Sequence, residues 1–323
     1  MLLITVDTSP DTGIFSLQKA FLLASLTFNK KEILFNTEGS GKVPALFKGK
    51  GFDYVENGDV RKLLKNDISL VIIFKNKLSG KDKKIVSKAK KKKIPIAKFS
   101  YMGENPIDTD LIIDPSPFIY NSEGREIKIL SGPEYSIVDS KYIHFHEVKR
   151  KYNKKLKNIL VAAGDSFPYR ELRKLTETLI NSGYKVKIIP GQNFKRFNRK
   201  TLKKIYPSLK ISGYPESYAR SFFEADLAII DPEFSAVRAS ATGTPAIYLP
   251  QNDAGDTTAS FFEEKGAGLT FRRWKKEDYS EILELLKFFS LEKREDMGNL
   301  GKELADGKGV YRLAEILKSF SKN

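Results

Sequence analysis

Short apolar runs that alternate with amphipathic segments along the whole chain are the feature that most constrains its fold. The apolar runs predict strands at Leu2–Val6, Glu32–Phe35, Ser69–Phe74, Ile94–Lys98, Asp110–Ile113, Asn158–Ala162, Lys185–Ile189, Leu227–Ile230 and Ala246–Leu249. Apolar residues at helical spacing between these runs predict helices, among them Ile14–Phe28, Lys81–Lys93, Tyr169–Ser182, Ala236–Thr242, Leu291–Leu304 and Val310–Phe320. Such alternation is typical of βα units that build a parallel sheet, so the sequence predicts an α/β fold.

A basic, polar segment at residues 146–155 separates two halves of this alternation, and we interpret it as an interdomain linker. We therefore expect one Rossmann-like domain in residues 1–150, a second in residues 151–305, and a final helix in residues 306–323. A chain of 323 residues, 41% of them hydrophobic, can bury a core in each domain. Two such domains are expected to face each other across a cleft, where α/β proteins bind ligands.

The composition excludes several classes of protein. The chain has no Cys, which excludes disulfides, thiolate metal sites and thiolate nucleophiles. We see no apolar stretch near the roughly 20 residues that a membrane-spanning helix needs. The short apolar run at the N-terminus lacks a basic region before it, so we expect no signal peptide and a cytoplasmic location.

The net charge of +16, from 56 Lys and Arg against 40 Asp and Glu, permits two interpretations. Attraction to a polyanion is one of them. The other is a lysine-rich solvated surface, which fits the densest run, Lys88–Lys93, as the cationic C-terminal end of a helix. The run is short and has no interleaved aromatic residues, so the pattern does not favour nucleic acid as a partner.

The opening stretch "VDTSPDTG", residues 6–13, has the form of a ligand loop. A strand, a turn of small residues and a helix follow one another, and free N–H groups at such a helix start attract anions. The turn contains no His, Lys or Arg, which leaves Asp7 and Asp11 as the carboxylates available for acid–base chemistry. Ser9 and Gly13 are the candidates for ligand binding through the loop itself.

Several longer stretches, in order along the chain, resemble one family. They are the opening loop, with Asp7, Ser9 and Gly13 at matching positions, and "TDLIIDPSP" (109–117), "SGPEYSIV" (131–138), "KNILVAAGDSFP" (157–168), "EADLAIIDPEFSAVRASATGTPAIYLP" (224–250) and "DGKGVYRLAEIL" (306–317). Together they resemble inverting nucleotide-sugar enzymes of the GT-B fold. The most similar branch is the UDP-sugar hydrolase of pseudaminic acid synthesis and its relatives in spore-coat polysaccharide synthesis.

The resemblance implies a fold and a division of labour between two domains. In the family the C-terminal domain binds the nucleoside diphosphate, the N-terminal domain acts on the sugar, and the last helix crosses back to the first domain. It also implies that Gly164 and Ser166 hold the phosphates, and that Ser235 meets a phosphate at a helix start. Tyr214 lies in a loop where related proteins hold the base and could stack on it.

The chain departs from the family where the chemistry is done. Ser16 occupies the position of the family's catalytic His, and a hydroxyl is a poor proton shuttle because its pKa lies far above 7. Asp165 stands in the phosphate turn, where its charge would repel a diphosphate. Arg238 replaces a Glu that accepts hydrogen bonds from ribose, and an Arg has no acceptor. Arg238 could instead bind a phosphate or offset the charge of Asp165.

The two histidines, His144 and His146, are two residues apart, and we expect both on one face of a strand. A metal site needs at least a third converging ligand, so we interpret them as structural histidines and expect no metal and no cofactor.

Three functions remain in competition at this point. The first is an enzyme of nucleotide-activated sugar metabolism, either a glycosyltransferase or a hydrolase with a base other than His, which acts on a UDP-sugar or another nucleotide sugar with a glycan or protein as possible acceptor. The second is a non-catalytic relative that binds a nucleotide sugar, a glycan or a protein. The third is a polyanion-binding protein, motivated only by the charge. Catalytic activity, the identity of the sugar, base and acceptor, and the oligomeric state stay open at this point.

Overall fold

The computed structural model describes residues 1–8, 13–39, 43–64, 67–75, 78–100, 102, 108–118, 127–162, 164, 167–191, 194–212, 218–272 and 279–321. The strands are β1 (Leu2–Asp7), β2 (Ile33–Glu38), β3 (Asp53–Glu56), β4 (Leu70–Phe74), β5 (Ile96–Phe99), β6 (Leu111–Asp114), β7 (Lys128–Ser131), β8 (Asn158–Ala162), β9 (Lys185–Ile188), β10 (Lys210–Ile211), β11 (Leu227–Ile230), β12 (Ala246–Tyr248) and β13 (Leu269–Thr270). The helices are α1 (Gly13–Thr27), α2 (Val43–Phe47), α3 (Val60–Leu63), α4 (Gly80–Lys91), α5 (Lys141–Glu147), α6 (Tyr169–Asn181), α7 (Arg196–Ile205), α8 (Tyr218–Glu224), α9 (Pro232–Ala241), α10 (Asp253–Glu264), α11 (Ser280–Lys287), α12 (Leu291–Leu304) and α13 (Gly309–Phe320).

The chain divides into two compact units that do not follow the sequence as two simple halves. The first unit consists of Met1–Val138 together with Lys308–Asn323, and the second consists of Asp139–Gly307. The last helix, α13, therefore belongs to the unit built by the start of the chain.

The first unit contains a parallel sheet of seven strands, sheet A, in the order β3-β2-β1-β4-β5-β6-β7. Side chains alternate between its faces, so Leu2, Ile4 and Val6 of β1 enter one core while Leu3 enters another. The larger core also receives Leu313 and Leu317 from α13, which packs against α1. Because both faces are covered, the central strands β1 and β4 are mostly apolar.

The second unit contains a parallel sheet of six strands, sheet B, in the order β10-β9-β8-β11-β12-β13. Its main core combines Ile159 and Val161 of β8 with the apolar face of α6, including Leu172, Leu175 and Leu179. The spacing of these three leucines is the helical pattern that predicted α6 from the sequence.

The segment that we interpret as a linker is bound to the second unit at several points. Arg150 donates to the backbone oxygens of Thr242 and Ala225, and the hydroxyl of Tyr152 donates to the oxygen of Gly243. The fully buried Arg294 of α12 donates to the oxygens of Asn153 and Lys154. Residues 150–154 are thus held by specific hydrogen bonds.

The strand that we predict around His144 and His146 is wrong, because both residues lie in α5. Tyr142 and Phe145 are three residues apart and pack inward, with Phe145 against Phe223 of α8 at a ring distance of 4.8 Å. His144 is exposed and His146 is half-buried. Neighbours two apart on a helix point in different directions, so the two imidazoles do not share a face.

No helix among the described residues combines the length and the apolar character that would let it cross a lipid bilayer.

Candidate functional site

Each sheet has one point where the order of its strands reverses, and ligands of open α/β sheets bind outside the strand ends at such points. In sheet A the reversal lies between β1 and β4, and in sheet B it lies between β8 and β11. The residues that follow these strands are Thr8 and Lys75 in the first unit, and Gly164 and Asp231 in the second, so the topology identifies one candidate site in each unit.

Gly164 and Asp231 approach each other closely at the carboxyl edge of sheet B. Gly164 has a φ of +71°, a left-handed conformation that favours glycine, and a Cβ at this position would lie 2.6 Å from Oδ2 of Asp231. Asp231 is buried and caps α9 by accepting a hydrogen bond of 3.1 Å from the N–H of Glu233. A side chain at residue 164 would displace this carboxylate, so the turn after β8 depends on glycine.

Three helices begin at this edge, and their first turns differ in charge. Helix α9 is capped by Asp231 and has Glu233 in its first turn. Helix α10 is capped by Asn252 and has Asp253 and Asp256 in its first turn. Helix α6 follows Pro168, which makes no side-chain cap hydrogen bond, and its first turn contains the buried Glu171, which accepts a hydrogen bond from the hydroxyl of Tyr279. The charge of Arg170 offsets that of Glu171 in the first turn of α6, whereas the only charged residues in the first turns of α9 and α10 are carboxylates, so the start of α6 is the better site for an anion.

Glu233 and Asn252 form a polar pair at the same carboxyl edge of sheet B. The side-chain amide of Asn252 donates to Oε2 of Glu233 at 3.2 Å, and its oxygen accepts from the N–H of Gly255. Glu233 is half-buried. A carboxylate held in this way accepts hydrogen bonds from hydroxyl groups of a ligand.

Ser235 and Arg238, which the sequence predicts as ligand residues, both lie on α9. Ser235 is buried and Arg238 is half-buried one turn later. The hydroxyl of Tyr142 in α5 is near Arg238: burial raises the pKa of Tyr142 to about 12, and the positive charge of Arg238 works in the opposite direction. The guanidinium of Arg238 thus has an electrostatic interaction on the side of α9 that contacts α5.

At the carboxyl edge of sheet A, the strands β1 and β2 end side by side in two carboxylates. Asp7 is half-buried and pairs in register with Glu38. The next residue, Thr8, donates its N–H and its hydroxyl to the backbone oxygen of Glu38, at 2.7 and 3.0 Å. These bonds fix the backbone at the start of the opening loop.

A buried lysine links this edge to α4. The ammonium of Lys75 contacts Oε2 of Glu38 at 2.8 Å and both carboxylate oxygens of Asp82 at 2.8 and 3.0 Å. Lys75 and Asp82 are almost fully buried. The other oxygen of Glu38, Oε1, is buried and has no hydrogen-bond partner among the described residues. Lys75 thus pairs with two carboxylates, and Asp7 ends the strand next to that of Glu38.

The remaining predicted residues have the following positions. Gly13 begins α1, and Ser16 lies in its first turn, half-buried. Ser9, Asp11, Ser166 and Tyr214, as well as Asp165, lie outside the described residues. The structure therefore brings Asp7 and the start of α1 to one candidate site, and Gly164, Ser235 and Arg238 to elements of the other.

Sequence reasoning missed Glu38, Lys75 and Glu233. The predicted second strand ends at Phe35, whereas β2 continues to Glu38, so the carboxylate was not seen as a strand-end residue. Lys75 directly follows the predicted strand Ser69–Phe74, and that position was the available signal for it. Glu233 was hidden because the predicted helix began at Ala236 and not at Pro232.

The described residues contain no group of three or more His, Asp or Glu placed to hold a metal ion.

Comparison with known proteins supports the architecture. No model of a protein family matches the chain. The structure of Acinetobacter baumannii MurG aligns with a TM-score of 0.70 at 13% identity and covers 98% of this chain and 99% of that one. The calicheamicin glycosyltransferase CalG4 aligns with a TM-score of 0.68 at 11% identity, covering 100% and 98%. S. aureus MnaA, solved with UDP, aligns with a TM-score of 0.63 at 13% identity, covering 99% and 96%.

These likenesses show the fold: the chain consists of two Rossmann-like domains of the GT-B type, as the sequence predicts. Two curated proteins are similar in sequence. An uncharacterized protein of Methanocaldococcus jannaschii is 26% identical over 285 residues, covering 77% of this chain and 55% of that protein. The spore coat polysaccharide biosynthesis protein SpsG of Bacillus subtilis is 27% identical over 206 residues, covering 59% and 58%. The chain thus spans little more than half the length of these relatives.

Proposed function

We propose that this chain binds a nucleotide sugar, with UDP as the carrier, through the carboxyl edge of sheet B, and that it acts in the synthesis of a surface glycan or polysaccharide. The observation that carries the proposal is the start of α6. It lies after β8 at the strand reversal, next to Gly164, and its cap residue is Pro168. N–H groups at such a helix start bind phosphate oxygens.

The similar proteins support the same ligand. S. aureus MnaA, which shares the fold, was solved with UDP, and the relative SpsG is named for spore coat polysaccharide biosynthesis. The proposal therefore names the nucleotide, UDP, and the process, glycan synthesis, and leaves the sugar open.

Each part of the ligand has candidate residues in the second unit. The diphosphate occupies the turn at Gly164 and Ser166 and the start of α6. Glu233, held by Asn252, accepts hydrogen bonds from ribose hydroxyls and takes the place of the family's Glu, whose position is Arg238 here. Ser235 and Arg238 serve the phosphates from α9.

The uracil ring needs a surface on which to stack, and Tyr214, which lies outside the described residues, is the candidate that we predict from the sequence.

The first unit supplies the acid–base group in this proposal. Asp7 is the half-buried carboxylate at the strand reversal of sheet A, and it accepts a proton from a hydroxyl of the acceptor or from water. That oxygen attacks the anomeric carbon, whose bond to the diphosphate oxygen breaks, and the diphosphate leaves with the electron pair. The Glu38–Lys75–Asp82 cluster positions Asp7 through the paired strand ends. Asp11, Ser9, Gly13 and Ser16 complete the loop and the helix that follow.

The test is calorimetric titration with UDP, CMP, GDP and uridine at about 0.15 M salt. We expect saturable binding of UDP, and none of uridine at the same concentrations. Arg170→Glu places a negative charge in the first turn of α6 and is expected to weaken UDP binding at least about tenfold. Lys200→Glu, an exposed position on α7 with the same change in charge, is the matched control. No saturable signal with any nucleotide at millimolar concentration would overturn the proposal.

Ser16 favours a second candidate function, a binding protein without turnover. It occupies the position of the family's catalytic His, and a hydroxyl is a weak replacement. UDP binding without release of UDP from any UDP-sugar in the presence of water or of glycan acceptors would establish this second function.

A further inference from the structure

A cavity of about 340 Å³ opens at the other end of sheet B, away from the edge that carries Gly164 and α6. Its walls come from the amino ends of β8, β9 and β10 and from the C-terminal end of α8. Binding sites for small molecules begin at about this size. The cavity is therefore large enough for a ligand and separate from the candidate site described above.

Three lysines line this cavity from neighbouring strands. Lys185 and Lys187 are two residues apart on β9, so their side chains lie on one face of the sheet, and Lys210 of β10 pairs in register with Lys187. The alternate residues of β9, Val186 and Ile188, enter the apolar core on the other face. Neighbouring strands are about 4.8 Å apart, so Lys187 and Lys210 concentrate positive charge at one point.

One carboxylate, that of Glu224, faces these lysines, and it also pairs with Arg220. Glu224 of α8 lies 4.0 Å from Lys187 and 3.9 Å from Arg220. Within the part of the chain that the structure describes, Lys185 and Lys210 have no carboxylate partner. The groups that face the cavity thus leave an excess of positive charge, which an anion would neutralise.

The floor of the cavity is apolar. Leu160 of β8, the register partner of Lys187, and Ala225 after α8 both line it. The site therefore combines cationic groups with a surface for a carbon skeleton, and a half-open cavity of this size suits a small molecule.

We propose that this cavity binds a small organic phosphate. The phosphoryl group lies between Lys187 and Lys210, and the carbon skeleton contacts Leu160 and Ala225. Lysine is a common ligand of phosphate because its compact ammonium acts as a point charge. This ligand is distinct from the nucleotide sugar and binds at the opposite end of the sheet.

The protonation of Lys187 supports the assignment. Burial lowers the pKa of Lys187, and the positive charges of Lys210 and Arg220 lower it further, while Glu224 raises it. A bound phosphate favours the ammonium form, so binding takes up protons at alkaline pH. The affinity therefore falls as the pH rises through the pKa of Lys187.

The test is calorimetric titration of the full chain with phenyl phosphate at about 0.15 M salt in the presence of saturating UDP, so that the nucleotide site is filled. Inorganic phosphate and benzoate are the comparison probes. We expect saturable binding of phenyl phosphate, tighter than that of either comparison probe. Lys187→Gln with Lys210→Gln is expected to weaken it at least about tenfold, whereas UDP binding stays unchanged.

Lys203→Gln, an exposed position on α7, is the matched control and leaves both affinities unchanged. Lys210→Gln alone, at an exposed position, keeps the test valid if the double variant does not fold. Absence of saturable binding, equal binding of benzoate, or full binding by the lysine variants would each overturn the proposal. None of these results bears on UDP, so the two proposals fail separately.

Discussion

At the scale of single residues, the buried lysine of the first unit shows how a polar strand end is stabilised. Lys75 holds Asp82 and Glu38 at hydrogen-bond distance where almost no solvent reaches. Burying charges is costly unless they are paired, so each partner depends on the others. This dependence can be measured.

Lys75→Met removes the ammonium and leaves two carboxylates close together and poorly solvated. We expect it to lower the free energy of unfolding by about 3–5 kcal/mol. Lys83→Met, an exposed position on α4, is the control and should change it by less than about 0.5 kcal/mol. Urea denaturation followed by circular dichroism measures both. A loss below about 1 kcal/mol for Lys75→Met would show that the cluster is not needed for stability.

Two buried tyrosines provide a matched pair. The hydroxyl of Tyr248 donates to the oxygen of Ala267 at 3.0 Å, whereas that of Tyr142 is buried without a hydrogen-bond partner among the described residues. Tyr248→Phe should cost about 1 kcal/mol, and Tyr142→Phe should be neutral or stabilise by about 1 kcal/mol. Denaturation of both variants at pH 8 measures the difference. A clear loss for Tyr142→Phe would contradict this account.

The difference in stability between the wild type and Tyr142→Phe depends on pH. Burial raises the pKa of Tyr142 to about 12, so between the ordinary value of 10 and about 12 the unfolded chain has released this proton and the folded chain has not. The wild type therefore loses stability as the pH rises through this range, and Tyr142→Phe lacks that loss. The advantage of the variant should grow between pH 9 and 11 in the same denaturation experiment.

Asp7→Asn tests the proposed acid–base role. If the chain turns over a UDP-sugar, this variant should lower kcat about 10²–10⁴-fold, because an amide cannot accept the proton. UDP affinity should not change, since Asp7 belongs to the other unit's sheet. Release of UDP and calorimetry measure the two effects. An unchanged kcat would show that Asp7 is not the proton acceptor, and Glu38 and Asp11 would then be the candidates for that role.

Which residues a sequence can predict as functional depends on where elements end. Asp7 was named as a candidate because the first strand was predicted to end next to it, and Gly164 because its turn resembles the family's phosphate turn; both strand ends were predicted to within one residue. Glu38 was missed because Asn36 and Thr37 interrupt the apolar run, although both are buried in the fold. Burial of polar residues by neighbouring elements is a tertiary effect that local patterns do not contain.

At the scale of elements, all nine strands predicted from apolar runs are present, and the four that were missed are β3, β7, β10 and β13. These four are the edges of the two sheets. An edge strand has one neighbour and is partly solvated, so it needs neither length nor a continuous apolar sequence. β3, for example, is Asp-Tyr-Val-Glu, and β10 has two residues. The central strands are predictable because both of their faces are buried.

Two glycines at helix starts test how closely α13 is packed. A Cβ at Gly309 would collide with the backbone oxygen of Ser136 and lie 2.8 Å from that of Glu134, whereas a Cβ at Gly80, the start of α4, meets nothing within 4 Å. Gly309→Ala should lower the free energy of unfolding by about 1–3 kcal/mol. Gly80→Ala should be neutral or raise it by up to about 1 kcal/mol. Thermal denaturation measures the stability of both variants. Equal effects would show that the backbone around Gly309 shifts to make room for the added Cβ.

At the scale of the whole molecule, the first unit is completed by the last helix. Leu313 of α13 is fully buried in the core that β1 and α1 also form. Leu313→Ala should therefore destabilise this unit by about 2–5 kcal/mol, although the substitution lies about 180 residues after the last strand of the sheet that it weakens.

Hydrogen exchange read by peptide mass spectrometry locates the effect. We expect faster exchange in Met1–Val138 and little change in Asp139–Gly307. Glu315→Ala, an exposed position two residues later on the same helix, should change neither. If exchange in the second unit rises as much as in the first, the two units unfold together and not separately.

Because the first unit is formed by two separate segments of the chain, the ribosome synthesises its two parts at different times. Its sheet strands all emerge before Val138, but the helix that covers α1 emerges only after Gly307 has been added. At a synthesis rate of roughly 5–20 residues per second, α13 is completed on the order of ten to thirty seconds after the strands of sheet A. During this time the apolar surface that α13 covers in the folded protein is exposed. The second unit, continuous in sequence, can finish folding first. A chaperone that binds nascent chains would find its main target in the strands of sheet A, which are made before the helix that covers them.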